Sequence, residues 1–256
     1  MSTPPFAPSI TPFTASPVAL ITGASQRLGA ATTKQLHQQG YNIVIHYRHS
    51  SIEAQALTES LNQTRENSCI CLHADLNKPS DIQQLCQQTV KHWQRLDLLI
   101  NNASSFFPTA IGETSTEHWD DLFASNCKAP FFLSQALAPT LAKHQGNIIN
   151  MIDIHASAPL KNHTVYCMAK SALQMMTLSL AKELAPNIRV NGVAPGAILW
   201  PKPEAEMTGE EKNNILSGIP LERLGTLEDI AKTIAFLATS PYITGQIIAV
   251  DGGRSI

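Results

Sequence analysis

VALITGASQRLG, residues Val18 to Gly29, decides the fold. Val18 to Thr22 is a short apolar run that Gly23 ends, and a helical stretch follows from Arg27 to Gln39, closed by Gly40. A strand, a tight turn and a helix in that order place unpaired backbone N–H groups and the positive end of a helix at one spot. An anionic pyrophosphate would be held there, although a plain strand-to-helix turn has the same outline. The position in the first strand and its helix favours the anion-binding reading.

The same rhythm recurs along the chain. Apolar runs at Asn42 to Tyr47, Ser68 to His73, Leu96 to Asn101, Asn147 to Met151, Ile188 to Val193 and Gln246 to Val250 read as strands, with helical stretches between most of them. Such alternation predicts an α/β fold: one Rossmann-type, doubly wound parallel sheet of about seven strands with helices on both faces. At 256 residues a single domain is the natural division, spanning 17–256 after an N-terminal tail over 1–16 whose prolines discourage helix. Residues 197–225 break the rhythm with Pro201, Pro203, Gly209 and Gly218, which suggests a substrate-covering insertion beyond a strand's carboxyl end. Leu173, Met176, Leu180 and Leu184 form a helical stripe that faces the core or a second subunit, the core being favoured.

Composition narrows the function. Hydrophobic residues make up 43% and charged residues 15%, a balance that supports a buried core. The formal net charge is −2 and no run of Lys and Arg could track a phosphate backbone, so nucleic acid is not expected as a partner. No apolar stretch reads as a signal or a membrane span. The five cysteines are odd in number and lack CxxC spacing, which reads as reduced thiols of a cytoplasmic protein; Cys69 and Cys71 would share one face of a strand. The nine histidines show no metal-ligand spacing, and no metal is assigned.

The second strand ends His46-Tyr47-Arg48-His49-Ser50, without the carboxylate that usually holds the 2′-hydroxyl of NAD. Cations and hydroxyls at this place suit a 2′-phosphate, so the segment reads as an NADP site with Arg48, His49 and Ser50 as the clamp, or else as a solvated polar edge. Glu53 lies beyond, on the next helix. Tyr166 and Lys170 stand four residues apart and therefore on one helix face, where an ammonium would lower the phenol's pKa and ready it for proton exchange. Asn126 lies in a helical stretch that starts at the capping pattern Thr114 to Glu117, and Pro130 removes the N–H that its carbonyl would accept, so the helix should bend.

These motifs, in this order, resemble the short-chain dehydrogenase/reductase family: the glycine turn with Arg27 in the middle glycine's place, Asp75 after the third strand, Asn101-Asn102-Ala103, Asn126, Tyr166 with Lys170, Pro195-Gly196, Thr244-Gly245 and Asp251-Gly252-Gly253. The resemblance implies a catalytic set of Asn126, Tyr166 and Lys170, with the Asn126 carbonyl holding a water linked to the lysine. It also implies cofactor contacts from Gly23, Arg27, Leu28, Gly29, His46, Tyr47, Ala74, Asp75, Leu76, Asn102, Ala103, Ser104, Pro195 and Gly196. A homotetramer with twofold axes through the helices bearing Asn126 and Tyr166 is implied as well.

One position departs from the wider family. Asp153 precedes Tyr166 by 13 residues, where a substrate-polarising serine is usual. A neutral hydroxyl suits a ketone, whereas a carboxyl group can deliver a proton to a ring nitrogen. With Arg27 and the run NNASSF, Asn101 to Phe106, this is similar to the pteridine reductase branch. That branch implies Phe106 as a stacking platform, Ser104 and Arg27 in contact with cofactor phosphate and pterin, and Asp153 and Tyr166 as proton suppliers. The implied reaction is NADPH-dependent reduction of a dihydropterin, with dihydrofolate as a further substrate. Phe106 as plain core, Trp200 as pocket lining or as a structural lid residue, a 3-oxoacyl carrier-protein or sugar reductase, and a nonenzymatic dinucleotide sensor are the competing readings. Some relatives lend an arginine from a neighbouring subunit's C-terminal extension, and Arg254 is no evident replacement.

Overall fold

A computed structural model of the chain describes residues 16–199 and 208–256. Seven parallel strands form one sheet: β1 (Val18–Ile21), β2 (Asn42–Tyr47), β3 (Cys69–His73), β4 (Leu98–Asn101), β5 (Asn147–Met151), β6 (Arg189–Pro195) and β7 (Ile247–Val250). Their spatial order is β3-β2-β1-β4-β5-β6-β7, so the direction of winding reverses at β1 and β4. Parallel order requires a crossover after every strand. Those crossovers carry α1 (Arg27–Gln38), α2 (Ser51–Thr64), α3 (Pro79–Trp93), α4 (Thr116–Phe123), α5 (Ala129–Ala142), α6 (Thr164–Glu183), α7 (Gly209–Ser217) and α8 (Leu227–Thr239). The architecture is the expected doubly wound sheet, with strand limits moved by one or two residues.

Alternate side chains of each strand feed two separate cores, which explains why the strands read as continuous apolar runs. Ala19, Ile21, Ile43, Ile45, Leu98 and Ile100 pack with Leu36 of α1, Leu57 of α2 and Ile230 and Ile234 of α8. Val18, Leu20, Val44 and Leu99 point the other way, onto Leu85 of α3, Leu133 and Leu137 of α5 and Leu180 of α6. Cys69 and Cys71 both join the first core, as their spacing predicts. The α6 stripe is core: Leu173 and Leu180 are buried and Met176 and Leu184 pack against buried clusters.

Two helix starts qualify the sequence reading. The α4 helix begins one residue later than the predicted cap, because Ser115 accepts from His118 N–H and the His118 ring accepts from Ser115 N–H; Thr114 instead donates to Ala110 O. The bend anticipated at Asn126 takes the form of a π-helix, Ala124–Lys128, between α4 and α5, in which Ala129 N–H reaches back to Ala124 O. One extra residue per turn there is tolerated because Pro130 has no N–H to keep the regular ladder in step.

The insertion closes on itself, since Gly225 N–H donates to Ala197 O at 3.0 Å, and it carries α7. Residues 200–207, including Trp200, and the tail to residue 15 lie outside the described residues.

A buried polar ladder crosses the sheet onto α6. Asn101 Nδ2 donates to Asn150 Oδ1 at 2.8 Å, Asn150 Nδ2 donates to Thr177 Oγ1 at 2.9 Å, and Thr177 donates to Leu173 O at 2.8 Å. Replacing Asn150 by Ala strands one buried donor and one buried acceptor, so the variant should lose about 2 to 3 kcal/mol of stability. Urea denaturation of the purified variant measures it, and an unchanged midpoint would contradict the ladder's role.

Candidate active site

The carboxyl ends of β1, β2, β4, β5 and β6 open into one cleft of about 910 Å³, at the switch point where ligands of open α/β sheets bind. Gly23, Arg27, Leu28, Gly29, His46, Tyr47, Arg48, His49, Ser50, Asp75, Leu76, Asn102, Ala103, Ser104, Phe106, Asp153, Tyr166, Lys170, Pro195 and Gly196 all line it. Residues far apart in the sequence therefore meet in one place.

The glycine turn is fitted to a close backbone approach. Gly23 has φ +59°, and a Cβ there would stand 3.0 Å from Ala103 Cα; a Cβ on Gly29 would stand 2.3 Å from Gly23 O. Arg27, in the place of a family glycine, takes φ +49°, a left-handed conformation that costs a non-glycine residue about 1 kcal/mol. At the start of α1 Gln26 makes no side-chain cap bond and the first turn holds no acid. Those uncapped amides and the positive helix end suit the pyrophosphate of a dinucleotide.

The turn is tied to the loop after β4. Thr22 Oγ1 accepts from Asn102 N–H and Ala103 N–H, both at 2.9 Å, and Asn102 Nδ2 donates to Thr22 O and Gly23 O at 2.8 and 3.0 Å. Further along that loop Ser104 Oγ donates to Asn126 Oδ1 at 2.7 Å, Asn126 Nδ2 donates to Ser105 O at 2.9 Å, and Ser105 N–H donates to Ser125 Oγ at 3.2 Å. Asn126 is thus buried behind the cleft wall, holding the loop by its side chain. Ala74 is likewise buried and accepts from His46 Nε2 at 3.1 Å.

At the second strand's end Arg48 Nε lies 3.1 Å from Asp75 Oδ1 and Nη2 lies 3.4 Å from Oδ2. Glu53, in the first turn of α2, accepts from Gln26 Nε2 at 2.6 Å.

The reactive cluster differs from expectation in one respect. Tyr166 Oη donates to Asp153 Oδ2 at 2.7 Å, and Asp153 Oδ1 accepts from His155 N–H at 2.8 Å. Burial first, and then the Asp153 carboxylate, push the Tyr166 phenol far above the ordinary tyrosine value. The anticipated lowering by Lys170 is overturned, because the phenol is buried and a carboxylate rather than the ammonium sits against its hydroxyl. The Lys170 ammonium instead donates to Met151 O at 2.8 Å and stands 5.7 Å from the Tyr166 ring centroid. Burial pulls Lys170 down to about 8, with Asp153 opposing the shift.

Phe106 is 56% exposed and so is no core residue. Its ring stacks on His163 at 4.6 Å between centroids, tilted by 14°, and meets Tyr166 edge-on at 4.8 Å. Ile198, Leu199 and Ile215 reach the cleft from the insertion expected to cover substrate, whereas sequence reasoning did not anticipate His155, Leu160 and Arg254 in the lining. Arg254 comes from the same chain, returned by the left-handed turn at Gly252 and Gly253; the paired glycines are its only trace in the sequence. Among the described residues no three potential ligands stand together to hold a metal ion.

A family model described as enoyl-(acyl carrier protein) reductase matches residues 23–255. Pteridine reductase 1 of Leishmania tarentolae is 38% identical over 94% of this chain and 97% of its own length. A 3-oxoacyl-acyl-carrier-protein reductase, FabG, of Staphylococcus epidermidis is 33% identical over 92% and 97%. A short-chain type dehydrogenase/reductase of Picea abies is 33% identical over 93% and 92%.

The buried lysine makes stability depend on pH. Lys170 falls from 10.5 to about 8 on folding, so between those values the unfolded chain binds more protons than the folded one. Stability then rises with pH across that window and is lost as pH falls through 8. Relative to Lys170→Met, the wild-type urea midpoint should climb between pH 7.5 and 10; a difference that stays flat or falls would contradict the assignment.

Proposed function

The chain belongs to the short-chain dehydrogenase/reductase family, whose members depend on NAD(P), and on that premise we propose that it reduces pterins with NADPH. The observation that carries this reading is the hydrogen bond from Tyr166 to Asp153. A carboxylate in that place repels the carbonyl oxygen of a ketone and welcomes a protonatable ring nitrogen. Likeness to the Leishmania tarentolae reductase points the same way.

The bound cofactor supplies a hydride to a ring carbon, and the chain supplies the proton. Phe106, backed by His163, offers its exposed face to a flat ring. Asp153, fixed at one oxygen by His155 N–H and at the other by Tyr166, takes the Tyr166 proton along that hydrogen bond and passes it to the nitrogen beside the reduced carbon, so that the carboxylate is restored. The Tyr166 phenolate left by that transfer has the Lys170 ammonium 5.7 Å from its ring centroid, a charge that offsets part of the cost of ionising a buried phenol. Dihydropterins and dihydrofolate share the ring that this arrangement reads.

NADP as the cofactor is supported by Arg48, which Asp75 holds by Nε and Nη2 at the end of β2, and by the engagement of nearby Glu53 with Gln26. A twofold-symmetric homotetramer is supported by Phe131, Phe132, Met168 and Met175, large apolar side chains left exposed on α5 and α6. Five free cysteines support a reducing compartment such as the cytoplasm. A reductase of 3-oxoacyl carrier-protein substrates is the second reading, favoured by the 33% identity to the Staphylococcus epidermidis enzyme.

Purified protein should oxidise NADPH with dihydrobiopterin or dihydrofolate at least about tenfold more efficiently than with an acetoacetyl thioester; the reverse ranking would favour the second reading. Asp153→Asn should lower kcat about 100-fold with NADPH affinity unchanged. Arg48→Ala should weaken NADPH binding about tenfold to a hundredfold, the loss of a charge-assisted contact, and leave NADH binding nearly unaltered. Equal losses for both cofactors, measured by fluorescence titration, would refute the clamp.

A further inference from the structure

We propose that His46 is a positioning residue for the dinucleotide, acting as a single fixed tautomer that binds the glycine turn to the end of β3. Gly23 N–H donates to His46 Nδ1 at 3.1 Å, and Nε2 lies 3.1 Å from Ala74 O. A backbone amide can only donate, so Nδ1 carries no hydrogen; Nε2 therefore carries it and donates to the carbonyl. Both ring nitrogens are satisfied in that form and in no other. The backbone of the same residue adds a third link, because Ala24 N–H donates to His46 O at 3.0 Å.

These bonds decide which amides the cleft can offer. The N–H groups of Gly23 and Ala24 are both taken by His46, so the donors left for an anion are those at the uncapped start of α1. The ring also sets the distance between the two walls of the cofactor cleft. On one side stands Gly23, whose neighbouring backbone must approach Ala103 closely; on the other stands Ala74, followed by Asp75 and Leu76, which line the cleft. Ala74 N–H in turn donates to Tyr47 O at 3.1 Å, and Asp75 N–H to Asp81 Oδ2 at 3.0 Å, so the second wall is itself rigid. With 2% of its surface exposed, His46 forms part of the cleft wall and works from within it. Burial lowers its pKa to about 4; the titratable groups that face it are His73, which lowers it further, and Asp75, which raises it. The ring is neutral at ordinary pH, which keeps Nδ1 free to accept.

The proposal rests on the reading of the cleft as a dinucleotide site, and its test separates the two. NADPH is titrated into wild type, His46→Phe and His46→Asn by fluorescence quenching, with the urea midpoint of each apo variant taken alongside. Phenylalanine keeps a flat aromatic ring, somewhat larger, and loses every ring bond; its folded apo form should bind NADPH about tenfold more weakly. Asparagine returns an acceptor oxygen near the place of Nδ1 and should recover most of the affinity. In wild type, nitrogen NMR of labelled histidine should show His46 protonated at Nε2 alone, unchanged between pH 5.5 and 8. A folded His46→Phe with the wild-type constant, or a hydrogen found on Nδ1, would overturn the proposal. If His46→Phe does not fold, the asparagine variant and the NMR tautomer decide in the same terms. Wild-type protein that binds neither NADPH nor NADH would sink the cofactor reading and the proposal together, while wild-type binding with an indifferent position 46 would sink the proposal alone.

Discussion

Thr22 holds the turn after β1 against the loop after β4, and the cleft depends on that junction. One hydroxyl oxygen accepts two successive amides, while Asn102 returns two bonds to the carbonyls of Thr22 and Gly23. The two loops consequently behave as one body. Because β1 and β4 lie side by side where the winding reverses, the crevice between their following helices opens there. The glycine turn faces the crevice from one loop, and Ser104 and Phe106 face it from the other.

From this junction the order extends outward. Asn126 and Ser125, presented by the π-helix, fix the backbone and hydroxyl of the loop that carries Phe106. The π-helix in turn follows from Pro130, whose missing N–H lets the chain gain a residue in one turn. On the far side of the crevice β5 delivers Met151 and Asp153 opposite α6, where Lys170 donates to Met151 O and Tyr166 to Asp153. A buried phenol whose proton already points at a carboxylate is arranged to pass that proton on. It is poorly arranged to meet a ketone directly, and the chemistry assigned to the cleft follows from this difference.

Much of this was legible along the chain for identifiable reasons. Strands with both faces buried leave uninterrupted apolar runs, and the spacing of Tyr166 and Lys170 places them on one face of α6. The parts that escaped notice depend on contacts between distant segments. His163 supports Phe106 across 57 positions, and Arg254 reaches the cleft only after two left-handed glycines reverse the chain. The phenol stands above its ordinary value, against the spacing of Tyr166 and Lys170, because the fold buries it and sets the Asp153 carboxylate, not the ammonium, against its hydroxyl. At α4 a histidine takes the capping role that a carboxylate or amide usually fills, so the helix start shifted by one residue. None of these requires an unusual force; each requires knowing which side chains become neighbours.

The central claim is that Asp153 addresses a nitrogen of a flat ring resting on Phe106. A crystal structure with NADP and a non-reducible pterin analogue tests it most directly. The account predicts the ring lying between Phe106 and the nicotinamide with a ring nitrogen within hydrogen-bond distance of the Asp153 carboxyl group. A ring bound elsewhere in the cleft, or Asp153 turned away from it, would contradict the account.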